Sequence, residues 1–175
     1  IENPFEVVEK KPDFNLISHR ICQVSNLLEL DLENLGAIFT SKKRNDIRRA
    51  LRHKVSVEVD FSEKAKTYLI ETHTANMLAI NASGKSKEYF YDLFGLFRAG
   101  ADYDLYTAKK DGELVAALLL LYHKNTVEYY TPVISLDQRH LQALSLTSYE
   151  AMKINKLLGR TIWNWGGNGN SLDSV

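Results

Sequence analysis

The chain has 175 residues, of which 45% are hydrophobic and 25% are charged, a composition typical of one globular domain with a core. Its 22 basic and 22 acidic residues cancel, which excludes a protein whose whole surface binds nucleic acid but allows a local basic patch. Cys22 is the one cysteine and the five histidines lack metal-ligand spacing, so we expect no disulfide framework and no bound metal. A reducing compartment, the cytoplasm, fits this cysteine usage.

The longest apolar run, residues 114–122, is about half the length that a membrane-spanning helix requires. We therefore predict a buried strand there and no transmembrane segment. The sequence begins with Ile1, which is not a start residue, and shows no internal repeat or long linker. We expect a single domain over residues 1–175, as a fragment cropped at both ends.

The first half of the chain predicts mostly helices. The first thirty residues are expected to be irregular or extended. Apolar residues then recur at helical spacing in segments 32–39, 40–54, 62–78 and 87–99. Thr40 or Ser41 can cap the second of these helices and Ser62 the third. Alternating β-branched residues predict a strand at 55–59.

The second half predicts a sheet. Segments 104–110 and 113–123 form a hairpin through the turn Asp111-Gly112, and 126–134 is a third antiparallel strand. Pro132 cannot donate to a sheet ladder, so this strand should splay or bulge there. A long helix at 139–158, stopped by Gly159, leads to a last strand at 161–165, and such a crossover is usually parallel. The fold class is therefore α+β with a mixed sheet.

A crevice is expected where strand 126–133 diverges from strand 161–165. Strands that stop pairing leave backbone N–H and C=O groups free to hold an acyl or peptide group, and Gly166 and Gly167 permit close approach. Trp163 and Trp165 should share one face of the last strand, with Asn164 on the other. The alternative is a plain turn after an edge strand, with both tryptophans in the core. Trp165 either stacks on substrate or belongs to that core.

Two basic features could bind anions. Gln138, Arg139 and His140 lie at the expected start of the long helix, where unpaired N–H groups and the helix dipole favour negative charge. Segment 42–54 holds seven Lys or Arg residues, and Arg44 and Arg48 share one helical face. Arginine binds phosphate and carboxylate in a two-pronged fork. For both features the alternative is a solvated surface.

Three segments resemble the GNAT-like domain of the FemAB acyltransferases and of related acetyltransferase domains. Segment 43–59 is similar to the family's arginine-bearing helix and following strand. Segment 104–133 is similar to its central hairpin, with a Gly-x-x-Val-Ala step that begins at Gly112. Segment 148–167 is similar to its ending, which closes here on Asn164-Trp165-Gly166-Gly167. The resemblance covers about residues 30 to 170, and the order of the motifs is more specific than any one of them.

The resemblance implies a GNAT-like mixed sheet and transfer of an acyl or aminoacyl group onto an amine. FemAB members use aminoacyl-tRNA to extend peptidoglycan precursors, and their relatives use acetyl-CoA and are linked to cell-surface polysaccharide. On this hypothesis backbone N–H groups near Thr131 polarise the carbonyl, and Tyr129 or Tyr130, whichever faces the cleft, donates a proton. Arg44 and Arg48 hold an anionic acceptor such as a cell-wall precursor, and the inner face of the membrane becomes an alternative location.

One departure from the family pattern concerns the acyl carrier. Members that bind acetyl-CoA carry Gln/Arg-x-x-Gly-x-Gly/Ala before the long helix, whereas residues 138–143 here place Leu141 at the first glycine. A branched side chain there is expected to obstruct the pyrophosphate, which favours a tRNA carrier over CoA, with no cofactor tightly bound. The second hypothesis is a non-catalytic GNAT-like module that binds tRNA, a precursor or a partner subunit.

Overall fold

The computed structural model describes residues 21–31 and 35–168. Its strands are Ile21–Asn26 (β1), Ser56–Val59 (β2), Tyr103–Lys110 (β3), Glu113–His123 (β4), Thr126–Ile134 (β5) and Ile162–Asn168 (β6). Its α-helices are Ser41–Arg52 (α1), Glu63–Ala79 (α2), Lys87–Leu96 (α3) and Ala143–Leu157 (α4). Two short 3₁₀ helices span Leu35–Ile38 and Leu136–Leu141.

The six strands form one mixed sheet in the order β1-β6-β5-β4-β3-β2. All neighbours are antiparallel except β5 and β6, which α4 connects as a parallel pair, so the predicted fold class is confirmed. Of the first thirty residues, expected to be irregular or extended, residues 21–26 form a strand on β6 with a register shift between Cys22 and Val24, and residues 1–20 lie outside the described part. The expected helix at 32–39 was wrong, because its described residues form only a 3₁₀ turn.

The β3–β4 hairpin turns at Asp111 and Gly112, whose φ angles of 52° and 85° suit the tight turn that matches strand twist. Strand β5 departs from expectation because it pairs with β4 through Pro132 and on to Ile134. Its bulge lies at Tyr130, since Tyr129 opposes Leu120 and Thr131 opposes Leu119. The predicted loss of pairing at Pro132 is therefore wrong for the edge of β5 that faces β4.

The splay occurs at the other edge of β5. Its parallel pairing with β6 ends at Glu128, which opposes Asn164, so the later residues of β5 have no strand partner on that side among the described residues. Pro132 lies in this stretch, where one edge of the strand makes no ladder.

Helices cover both faces of the sheet. Helices α1 and α4 lie on one face and α2 and α3 on the other, here called the α1/α4 face and the α2/α3 face. On β4, Leu118 and Leu120 pack toward the α1/α4 face, whereas Ala117 and Leu119 pack toward the α2/α3 face. Since Thr131 opposes Leu119, the bulge turns Tyr130 and Thr131 together toward the α2/α3 face, where both contact Lys85.

The helix expected at 139–158 is shorter. It begins at Ala143, because Gln142 adopts a left-handed conformation (φ 56°, ψ 27°) that separates it from the preceding 3₁₀ helix. Gly159, at φ 81°, follows its end as predicted. Gln138, Arg139 and His140 therefore lie before the α-helix and not in its first turn.

The loop between α2 and α3 is tied to α2 by His73, which is 6% exposed. The backbone N–H of Lys85 donates to His73 Nε2 at 3.0 Å. A Cβ added to Gly84 would lie 2.7 Å from Met77 Cγ and 3.0 Å from the same ring nitrogen, so a larger residue would require the Met77 side chain to shift. Burial, and secondarily the Lys85 charge, lowers the pKa of His73, which favours the neutral ring.

We expect this histidine to make the fold acid-sensitive. Because its folded pKa lies below the unfolded value of about 6.5, the unfolded chain binds more protons as pH falls through that value, and the free energy of unfolding decreases. His73→Gln should reduce the loss between about pH 7 and pH 5, measured by urea unfolding. His123→Gln, at an exposed position, is the control. An identical pH slope in His73→Gln and the parent would contradict the prediction.

Candidate active site at the parting of β5 and β6

A cleft of about 600 Å³ opens on the α1/α4 face beside the parting of β5 and β6. Aromatic and apolar side chains form its floor and one wall, and polar side chains from the starts of α1 and α4 form the other. Its lining residues include Phe39, Thr40, Lys43, Ile47, Tyr129, Ile134, Arg139, Gln142, Leu144, Ser145, Ser148 and Trp165. Such a mixture suits a ligand with an apolar arm and an anionic end.

The floor of the cleft is an aromatic group carried by β5 and β6. The Trp165 ring lies 5.4 Å from the Tyr129 ring and 5.5 Å from the Trp163 ring, measured between centroids. Trp165 Nε1 donates to Ser25 Oγ on β1 at 3.0 Å, while Trp163 is fully buried. The predicted arrangement of the two tryptophans on one face is confirmed. Trp165 is both packed and exposed to the cleft, so the two alternatives for it are not exclusive.

The two candidate tyrosines of β5 point in opposite directions. Tyr129 lines the cleft, whereas Tyr130 contacts Tyr89 and Lys85 on the α2/α3 face. Burial raises the pKa of the Tyr129 phenol, and its hydrogen bond with Ser148 opposes that rise in part. The phenol is therefore protonated at neutral pH and able to donate to a ligand in the cleft.

The polar wall combines two helix starts. Thr40 Oγ1 accepts from the Lys43 N–H of α1 at 3.3 Å, and Lys43 Nζ donates to Ser145 Oγ of α4 at 3.4 Å. The Gln142 side chain makes no capping hydrogen bond at the start of α4, where the positive end of the helix dipole favours an anion. Of the three predicted carrier-binding residues, Arg139 lines the cleft. Gln138 bonds Asp137, and the His140 ring contacts the Asp137 carbonyl.

Leu141 does not obstruct this helix start. Its side chain is 3% exposed and packs into the core with Ile47 and Leu146. The left-handed conformation for which a glycine would be suited is adopted by the next residue, Gln142. The Leu141 side chain therefore points into the protein and not into the cleft, and the choice between CoA and tRNA as the carrier stays a prediction.

Arg44 and Arg48 lie beside the cleft, not in its lining. Helix α1 presents Lys43 and Ile47 to the cleft, and its next face carries the two arginines. The Arg44 guanidinium donates to the backbone carbonyl of Phe39, and Arg48 Nη1 donates to Asn45 Oδ1 at 3.0 Å. Their role in substrate binding stays a prediction, while Lys43 is the α1 cation that lines the cleft.

Glu128 and Asn164 mark where the strands part. Asn164 Nδ2 donates to Glu128 Oε2 at 2.7 Å, and the Gly166 N–H donates to Asn164 Oδ1 at 3.0 Å. Gly166 has a φ of 85°, which suits glycine, and Gly167 is exposed. Sequence reasoning missed Glu128. The available signal was a glutamate in a strand whose other residues are all uncharged.

Comparison with known proteins identifies the fold and the family. An acetyltransferase (GNAT) domain model matches residues 41–170. The chain belongs to the GNAT acyltransferase family. This family transfers acyl groups. The resemblance to GNAT-like domains and the mixed sheet, both predicted from the sequence, are confirmed. No curated protein matches the chain.

Solved structures share the fold at low identity. FemX superposes with a TM-score of 0.73 at 14% identity, over 87% of this chain and 55% of FemX. The C-terminal domain of a putative lysylphosphatidylglycerol synthetase from Agrobacterium fabrum gives 0.64 at 16%, over 87% of this chain and 47% of that one. A GNAT-family acetyltransferase from Staphylococcus aureus superposes with a TM-score of 0.51 at 11% identity, over 61% of this chain and 69% of that one. The chain thus spans about half the length of the first two proteins.

Neither a membrane-crossing helix nor a group of metal-ligating side chains was found in the described ranges, 21–31 and 35–168.

We predict that Leu141→Ala destabilises the fold without improving CoA binding. Removing a buried leucine typically costs about 2–5 kcal/mol of unfolding free energy. Because the side chain faces the core, its truncation should leave the affinity for acetyl-CoA within about twofold, measured by calorimetry, and Leu136→Ala, at an exposed position, is the control for stability. A large gain in CoA affinity in Leu141→Ala would show that the side chain does obstruct the carrier.

Proposed function

We propose that this chain transfers an acyl or aminoacyl group from an activated ester to an amine, forming an amide. The observation that carries the proposal is the parting of β5 from β6 next to a cleft with an aromatic floor and a cationic wall. The family supports the reaction class, and the cleft and the gap between the strands support separate positions for the donor and the acceptor.

The donor fits the α1/α4 face. Its phosphates would lie at the start of α4 near Lys43 and Arg139, and its acyl arm would run over Trp165 and Tyr129 toward the parted strands. There the open edge of β5 around Thr131 presents backbone N–H groups to the carbonyl oxygen, as an oxyanion hole does. Both acetyl-CoA and aminoacyl-tRNA carry phosphates and an activated ester, so either donor suits this cleft.

The acceptor fits the opposite side of the parting. Glu128 and Asn164 lie at its inner end, and Glu128 opposes Leu121 of β4, whose side chain packs on the α2/α3 face, so the carboxylate faces that side. An amine that enters from this side meets the acyl carbon through the gap between the strands. Holding the two reactants on either side of a fixed gap supplies the orientation that amide formation needs.

The amine nitrogen attacks the acyl carbon and forms a C–N bond, while the C–S bond of a thioester or the C–O bond of a tRNA ester breaks. Glu128 accepts the proton that the attacking nitrogen loses, and the Tyr129 phenol donates a proton to the leaving sulfur or oxygen. The products are an amide and a free thiol or hydroxyl, and exchange with solvent then returns the proton of Glu128 to water and a proton to the Tyr129 phenolate.

The resemblance to FemAB proteins supports an acceptor in cell-wall precursor or surface polysaccharide synthesis, with tRNA as the possible carrier and the cytoplasm as the location. The alternative is a non-catalytic binding module, which needs no proton acceptor. The Glu128 carboxylate at the parting of the strands favours the enzyme over this alternative. Turnover decides between them.

Tyr129→Phe should lower kcat by about 10²-fold or more if its proton reaches the leaving group. The ring packing on Trp165 is preserved, so the fold and the KM for the donor should change little. Transfer of a radiolabelled acyl group to an amine, measured with acetyl-CoA and with aminoacyl-tRNA in turn, provides the assay. Tyr91→Phe on exposed α3 is the control. An unchanged kcat in Tyr129→Phe would remove this residue from the mechanism.

Glu128→Gln should lower kcat by about 10²–10⁴-fold, because an amide cannot accept the proton. Asn164 retains a carbonyl oxygen as its acceptor, so the strands should stay in place. Activity of this variant should recover in part as pH rises and the amine loses its proton unaided. Glu113→Gln, exposed in the β3–β4 hairpin, is the matched control. Equal activity and an unaltered pH profile for Glu128→Gln would refute the proposed base.

A further inference from the structure

Lys85 is a half-buried cation held against the bulged part of β5 on the α2/α3 face. Its Nζ donates to Thr131 Oγ1 at 3.2 Å and lies 4.4 Å from the centre of the Tyr130 ring. Both partners are uncharged, and no ion pair joins Lys85 to a carboxylate within residues 21–31 and 35–168. The ammonium group thus has a place in the structure but no counter-charge there.

Keeping this ammonium group half-buried and charged costs desolvation free energy. Burial lowers the pKa of Lys85, because desolvation disfavours the charged form. The loop that carries it is nevertheless fixed on both sides. Gly84 packs against α2, the Lys85 N–H is bound by His73, and Ser86 Oγ accepts from the Tyr89 N–H at the start of α3. A solvated lysine would not require such support.

The same place offers further hydrogen-bond donors. The Tyr89 and Tyr130 hydroxyls contact each other, so one O–H donates to the other and the second is free to donate to a ligand. Tyr89 is 42% exposed, which leaves the group open to solvent. Of the three N–H groups of the ammonium, one is directed to Thr131. Cationic and phenolic donors thus lie together on the α2/α3 face, the face of β5 that also carries Glu128.

We propose that Lys85, with the Tyr89–Tyr130 pair, binds a carboxylate or phosphate of the acceptor, and so selects amines that carry an anionic group. The inference rests on the proposed function for its placement of the amine at Glu128. It assigns acceptor recognition to the α2/α3 face, on the other side of the sheet from Arg44 and Arg48. The acceptor class is therefore a zwitterion, such as the free end of a peptide or an aminoalkyl phosphate.

Binding is tested without turnover. Isotope-labelled protein is titrated with glycylglycine and with glycylglycinamide, which share an amine but differ in the carboxylate, and with phosphoethanolamine and ethanolamine, which differ in the phosphate. Backbone amide shifts in NMR spectra report the affinity and the place. We expect at least one anionic probe to bind about tenfold or more tightly than its neutral counterpart, with shifts at Lys85, Ser86 and Thr131. The preferred pair identifies the oxyanion.

Three variants test the residue. Lys85→Met retains the bulk of the side chain and removes the charge, so it should abolish the preference, whereas Lys85→Arg should retain part of it. Lys87→Met is the matched control, because Lys87 Nζ also lies near a tyrosine ring, 5.8 Å from that of Tyr91, but on an exposed helix turn. The melting temperature of each variant shows whether it is folded, and Lys85→Arg keeps the test open if Lys85→Met is not.

Equal affinity for both members of each probe pair, a preference that survives Lys85→Met, or shifts confined to the basic face of α1 would overturn the inference. Its failure is distinct from that of the proposed function. If the anion preference depends on Lys85 but no donor supports transfer, the site stands and the enzyme proposal fails. If transfer occurs and Lys85→Met leaves the kcat/KM ratio of the probe pairs unchanged, the enzyme proposal stands and this inference fails.

Discussion

The structure depends on one constraint, the end of parallel pairing between β5 and β6 at Glu128 and Asn164. Up to this point both strands are held within a six-stranded sheet, so their positions are fixed by ladders on either side. Beyond it β5 remains attached to β4 and β6 remains attached to β1. The gap is therefore bounded by rigid strands, and backbone groups on its edges can be offered to a ligand without unfolding anything.

The bulge at Tyr130 makes the two sides of the gap different. Residues 127–130 alternate regularly, so Tyr129 faces the α1/α4 side and Tyr130 the α2/α3 side, and the extra residue then directs Thr131 to the same face as Tyr130. Tyr129 is left to the aromatic floor of the cleft, and Lys85 gains two partners on the opposite face. The bulge thus adds Thr131 to the face that carries Glu128 and Tyr130, which is the proposed acceptor side, opposite Tyr129 on the proposed donor side.

Sequence patterns predicted what local forces determine. The Asp111-Gly112 turn, the caps at Thr40 and Ser62, the stop at Gly159 and the parallel last strand follow from turn chemistry and periodicity, and all are present. What failed depended on tertiary pairing, which strand spacing does not encode. The bulge lies two residues from Pro132, and the place of β1 in the sheet was not predicted because it depends on pairing with β6. Lys85 and Glu128 carry no motif, and only their neighbours in space reveal them.

The most direct test of this account is to locate the donor on the protein. Isotope-labelled protein would be titrated with CoA and, separately, with an uncharged tRNA acceptor stem, and the amide shifts mapped by NMR. The account predicts that shifts for the bound donor concentrate on the open stretch of β5 from Tyr129 to Ile134 and on the first turn of α4. Saturable binding that perturbs neither segment, or that maps to the α2/α3 face alone, would contradict it.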